Sequence, residues 1–106
     1  MFSRILTMSL KPNCVAELTK AVEERVLPLL RKQEGFKDEM FFVSPDGLEA
    51  ISVSLWDRKD NAEGYSSATY PQVLQLLTNY LVKSPLVKTY NVTNSTFHKI
   101  TPAVAV

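Results

Sequence analysis

FKDEMFFVSPDGLEAISVSLW, residues 36–56, is the stretch that decides the fold. Phe36 to Val43 is aromatic and extended in character, and Leu48 to Trp56 alternates with a period of two. Ile51, Val53 and Leu55 fall on one face, and Ala50, Ser52, Ser54 and Trp56 on the other. Between them Ser44-Pro45-Asp46-Gly47 is a turn, with proline fixing φ at its second position. The stretch therefore reads as a β-hairpin. The small and aromatic residues of the Ala50 face predict that it too is covered, though not by the helices that cover the other.

Working outward from the hairpin, Gly35 precedes it as the residue that accepts a left-handed conformation at a helix end. A helix running from Asn13 to about Glu34 is expected upstream, with Asn13 as its cap. Val15, Leu18, Val22, Val26, Leu29 and Leu30 form its apolar stripe. Pro28 inside it predicts a kink near Glu24, since its ring displaces the carbonyl four residues back. Before that helix, residues 2–10 alternate strictly. Phe2, Arg4, Leu6, Met8 and Leu10 share one face, and a strand follows from the period.

Downstream, Asp60 and Glu63 have capping-box spacing, and a short helix starts there. Tyr70-Pro71 interrupts it, and Pro71 opens a second helix over 71–82. Leu86 to about Ile100 is the last strand, with Tyr90 and Val92 inward, and residues 101–106 form an apolar tail that docks on a partner or frays. Asn91 and Asn94 match the glycosylation acceptor pattern but read as strand residues.

The resulting order is β-α-β-β-α-β, a ferredoxin-like α+β domain occupying the whole chain, 1–106. Two helices cover one face of a four-stranded sheet. The second face, with Met8 or Trp56 and their neighbours on it, would be an exposed apolar patch, so a homodimer through the sheet faces is expected. The bulk properties fit. The 106 residues are 45% hydrophobic and 22% charged, with 12 basic and 11 acidic side chains giving +1, which argues against nucleic acid or an anionic membrane as partner. No 18-residue apolar run spans a membrane. The one cysteine, Cys14, forms no internal disulfide, and a reducing, cytoplasmic location is expected.

Three segments, LPLLRKQEGF (27–36), ISVSLW (51–56) and Tyr65 with Tyr70-Pro71, resemble the antibiotic-biosynthesis-monooxygenase-like (ABM-like) members of the dimeric α/β-barrel superfamily, over roughly residues 2–100. The resemblance implies a dimeric α/β barrel with a small cleft between helices and sheet in each protomer. It implies oxygenation of anthrones or quinols without metal or flavin in some members, and haem degradation in others. The haem-degrading branch carries a second Trp about ten residues after the strand end and a His about ten further. Tyr65-Ser66 and Gln75-Leu76 stand there instead, so haem is not expected.

Site candidates follow from side-chain chemistry. His98, the only histidine, suits proton transfer, and Tyr65 is a second catalytic candidate. Trp56 is a possible wall for an aromatic ligand; Tyr65, Tyr70 and Tyr90 are hydrogen-bond donors to its oxygen; Arg4 is a cation for an anionic substrate or a carboxylate across the dimer. A single histidine holds no metal site, and no cofactor is expected. Two functions compete: a cofactor-independent monooxygenase of small electron-rich aromatics, and a non-catalytic dimer that binds a small molecule. The first predicts an apolar cavity of a few hundred Å³ walled by Trp56 and tyrosines; the second predicts a cavity filled by side chains or holding a ligand with no titratable group in reach.

Overall fold

A computed structural model describes residues 1–100; the tail 101–106 lies outside the described residues. Strands β1 (Phe2–Ser9), β2 (Phe36–Val43), β3 (Glu49–Trp56) and β4 (Leu86–Asn91) form one sheet in the order β2-β3-β1-β4, each pair antiparallel. The β-α-β-β-α-β order expected from the sequence is the one observed.

The first helical segment is broken where proline demands it. Helix α1 (Val15–Ala21) passes into a π-helical turn (Val22–Val26) and then α2 (Leu27–Arg31). Pro28 has no N–H to give the Glu24 carbonyl, and the chain widens one turn earlier: the Leu27 N–H bonds the Val22 carbonyl, five residues back. Helix α2 ends at Arg31 rather than Glu34. Gly35 then turns with φ +77°, and a Cβ there would lie 2.2 Å from the Asn61 side chain, so only glycine fits on both counts. Asn13 does not cap α1. It is itself left-handed (φ +58°), and Cys14 takes the cap position, its buried Sγ donating to the Lys11 carbonyl at 3.0 Å.

After the hairpin come α3 (Lys59–Ala68), α4 (Tyr70–Leu77) and a 3₁₀ turn (Thr78–Tyr80). The cap of α3 lies two residues before Asp60, where the Asn61 side-chain oxygen accepts the Arg58 N–H. Pro71 sits in the first turn of α4, as its fixed φ favours. Strand β4 stops at Asn91, far short of Ile100: Asn91 pairs with Phe2, where β1 begins, and the Val92 N–H bonds the carbonyl of Met1. Asn94 is accordingly outside the strand.

The core lies between the helices and one sheet face. Phe2, Leu6, Met8, Ala50 and Trp56 meet Leu18, Val22, Val26, Leu30, Tyr65, Val73 and Leu77. This reverses one expectation: the face of Ala50, Ser52, Ser54 and Trp56 lies under these helices, and Ile51, Val53 and Leu55 lie on the open side. Register explains it. Phe2, Leu6 and Met8 pair with Trp56, Ser52 and Ala50, large beside small, and the helices settle into the relief. Met8 and Trp56 are thus among the most buried side chains and take no part in the bare face. That face carries Ile5, Ile51, Val53 and Leu55, half-buried, and Met40, Phe42, Leu86 and Tyr90, exposed.

Candidate functional site

Between the helices and the sheet a small cavity remains. Its sheet wall is Arg4, Leu6 and Met8 of β1, Glu39 and Phe41 of β2, and Ser52 and Ser54 of β3. The helices close it with Val22 and Val26 of the π-helical turn, Leu30, Tyr65, Tyr70, Val73 and Leu77. Its volume is about 30 Å³, enough for one or two waters or a molecule of similar size. Among the described residues no cavity of a few hundred Å³ walled by Trp56 and tyrosines lies between helices and sheet, where Leu6, Met8, Leu30 and Leu77 crowd the space.

The polar groups here are few and concentrated. Ser52 Oγ donates to Glu39 Oε1 at 3.3 Å, and burial holds the Glu39 carboxyl above the usual range despite that bond. Desolvation pushes the Tyr65 hydroxyl up to about 12, with Arg4 opposing the rise. Arg4 is 4% exposed. Its guanidinium carbon lies 3.9 Å from the centre of the Tyr70 ring and 5.5 Å from that of Tyr65, stacked as a cation over aromatic faces. The Ser54 hydroxyl accepts from Trp56 Nε1 at 2.9 Å and donates to the Arg4 carbonyl at 3.3 Å.

Of the residues singled out from sequence, Arg4, Tyr65 and Tyr70 meet at this cavity. Trp56 does not line it. Wholly buried behind it, Trp56 packs edge-on to Phe36 with ring centres 5.5 Å apart and against Tyr65 at 5.1 Å, so it supports the tyrosine rather than walling a ligand. Tyr90 is on the wrong side of the sheet. Pairing opposite Ser3 turns it outward, where it is half exposed and not inward as predicted. His98 is also on the outer side, against Asp38, beside a crevice of about 230 Å³ lined with Met40, Leu55 and Phe97. Neither side chain reaches the cavity. Among the described residues no group of three His, Cys, Asp or Glu side chains is placed to hold a metal ion.

Glu39, Ser52 and Ser54 escaped the sequence reading. The signal for Glu39 was available in part: it shares period-two parity with Phe41 and Val43, which face the helices. A register shift between Phe36 and Asp38 hides this parity by putting Phe36 on the same side.

No family model matches the chain, and no curated protein matches it. Solved structures do. A Streptomyces coelicolor monooxygenase crystallised with nanaomycin D superposes with a TM-score of 0.77 at 17% identity, over 96% of this chain and 92% of that one. A Nitrosomonas europaea protein of unknown function gives 0.74 at 12% identity, over 96% and 95%. SnoaB, a cofactor-independent oxygenase from Streptomyces nogalater, gives 0.71 at 10% identity, over 90% and 95%. The chain has the antibiotic-biosynthesis-monooxygenase fold. Within that fold, identities this low speak to architecture and not to substrate. Among the described residues no helix is long and apolar enough to cross a membrane.

Proposed function

We propose that this protein is a small oxygenase of the ABM-like kind, working without metal or organic cofactor on electron-rich aromatics of phenol, quinol or anthrone type, as a homodimer. The observation that carries the reading is Glu39: a carboxyl raised in pKa by burial, on the sheet wall of a largely apolar cavity that Tyr65, its hydroxyl protonated, closes from the helical side. A carboxylate that holds protons more firmly than usual is a better general base. Glu39 takes a proton from the substrate, and the resulting carbanion-like anion passes electrons to dioxygen, forming a C–O bond. The peroxide takes that proton back from Glu39, and loss of water from the hydroperoxide then leaves the ketone or quinone: the substrate gives up two hydrogens and gains one oxygen, and the other oxygen departs as water. The Tyr65 hydroxyl donates to the oxygen on which charge develops.

A ring needs more room than the cavity provides, so the helices must part to admit it. Val22 and Val26, on the π-helical turn, are the lining residues on the least regular backbone. The small volume also favours a second reading, the non-catalytic dimer. An oxygen electrode with a panel of anthrones and quinols separates them: consumption of one dioxygen per substrate, with ketone or quinone formed, supports the oxygenase, and no uptake across the panel leaves the binding reading.

The dimer has its own test. Met40 is 48% and Phe42 51% exposed, next to half-buried Ile51 and Val53, an apolar surface of the kind that soluble monomers avoid. Light scattering at micromolar concentration should give twice the 11.9 kDa chain mass. Met40→Glu combined with Phe42→Glu should return the single-chain mass without unfolding, since both side chains stand outside the core. A folded wild-type monomer defeats the proposal.

A further inference from the structure

Arg4 carries more information than the proposed chemistry uses. It is nineteen-twentieths buried, yet among the described residues no carboxylate lies within 4 Å of it and no side chain or carbonyl accepts a hydrogen bond from its guanidinium. A guanidinium keeps its charge in a protein and offers five N–H donors. The guanidinium carbon sits over the rings of Tyr70 and Tyr65, and neither tyrosine accepts any of its hydrogens. Burying such a charge is costly unless something repays it. The donors are not sealed in: no buried side-chain nitrogen among the described residues lacks both a partner and contact with space. Arg4 borders the cavity on one side and, on the other, a crevice of about 120 Å³ beside Lys59, Glu63, Ser66 and Thr89, where Glu63 pairs with Lys59 and not with Arg4. A planar cation held against aromatic faces, with its edge left open, is a receptor for a planar oxyanion, which it can grip through two parallel hydrogen bonds.

We infer that the cleft selects ligands that arrive carrying an oxyanion, a carboxylate or an acidic enolate, and that Arg4 is the residue that reads this charge. The cavity volume suits the head group: about 30 Å³ accommodates two oxygens and their carbon but not a ring. The inference rests on the cleft being a ligand site, as proposed above, but not on its being catalytic.

Binding is measured by calorimetry without turnover, so it can succeed where oxygen uptake fails. Two matched pairs serve as probes: benzoate with benzamide, and the enolate of cyclohexane-1,3-dione with cyclohexanone. In the wild-type protein the charged member of at least one pair should bind tenfold or more tightly than its neutral counterpart, and which pair responds tells carboxylate from enolate. In Arg4→Met the preference should fall to within twofold, and Arg4→Lys should retain part of it. Because Arg4→Met removes a buried charge that no carboxylate among the described residues meets within 4 Å, its unfolding midpoint should be unchanged or higher. Equal binding of charged and neutral probes, binding of neither, or a charge preference that survives in folded Arg4→Met would each overturn the inference. A wild-type preference that disappears in Arg4→Lys as well as Arg4→Met still supports it, as a need for the two-pronged donor.

Discussion

Trp56→Ala is expected to cost about 3–5 kcal/mol, the range for emptying a fully buried large aromatic position. That is a large part of the whole stability of an ordinary domain. The indole is 0% exposed, holds Phe36 and Tyr65 in place, and donates its one N–H to Ser54. Removing it opens a void beneath Tyr65 and takes a donor from the hydroxyl that also binds the Arg4 carbonyl. Urea denaturation followed by far-ultraviolet circular dichroism measures the loss. Trp56→Phe should keep most of the packing and fall well short of that cost. A change below 1 kcal/mol for the alanine variant would mean that the ring is not the keystone described here.

Glu39→Gln is expected to lower oxygen uptake by about 10²–10⁴-fold, the usual worth of a positioned general base, while leaving the fold intact. The amide keeps the shape and can still accept from Ser52. The sign of the stability effect separates this from damage. The Glu39 pKa is raised in the folded protein, chiefly by burial, above the ordinary carboxylate range. Its carboxyl therefore favours folding below about the unfolded value, and that contribution disappears as pH rises through the folded value. At neutral pH the charged, desolvated carboxylate burdens the fold, and Gln relieves it. The variant should be as stable as the wild type or more so at pH 7, and should lose that advantage in acid. Denaturant midpoints measured across pH 3 to 8 check this. An inactive variant that is also less stable at pH 7 would argue for a structural role instead.

The fold was legible because its determinants are local. The alternation of Phe2 to Leu10, the Pro45-Asp46-Gly47 turn, Gly35 and Pro71 each impose geometry on their own neighbours. Pro28 even marked where the first helix would be disturbed, although a π-helical turn rather than a bend absorbed it. The site was half legible. Arg4 stood out as a cation on an apolar face, and Tyr65 and Tyr70 fell near it. His98, Tyr90 and Trp56 were misjudged because strand length, strand facing and helix placement depend on pairing partners distant in sequence. The last residue of β4, Asn91, pairs with Phe2 at the start of β1, and the direction of Tyr90 follows from pairing with Ser3. The face of β3 that the helices choose depends on the sizes of β1 side chains opposite it.

The position of β1 has a consequence for how the chain is made. Of the four strands it is made before the others, yet it lies between β3 and β4, pairing Phe2 with both Trp56 and Asn91. A nascent chain carries this greasy ribbon with both edges unsatisfied until residues more than fifty and then almost ninety positions later emerge, so the sheet can be completed only once β4 has been made. Long-range closure of that kind is slow, and the interval before β4 arrives is when the growing polypeptide most needs shelter from its neighbours.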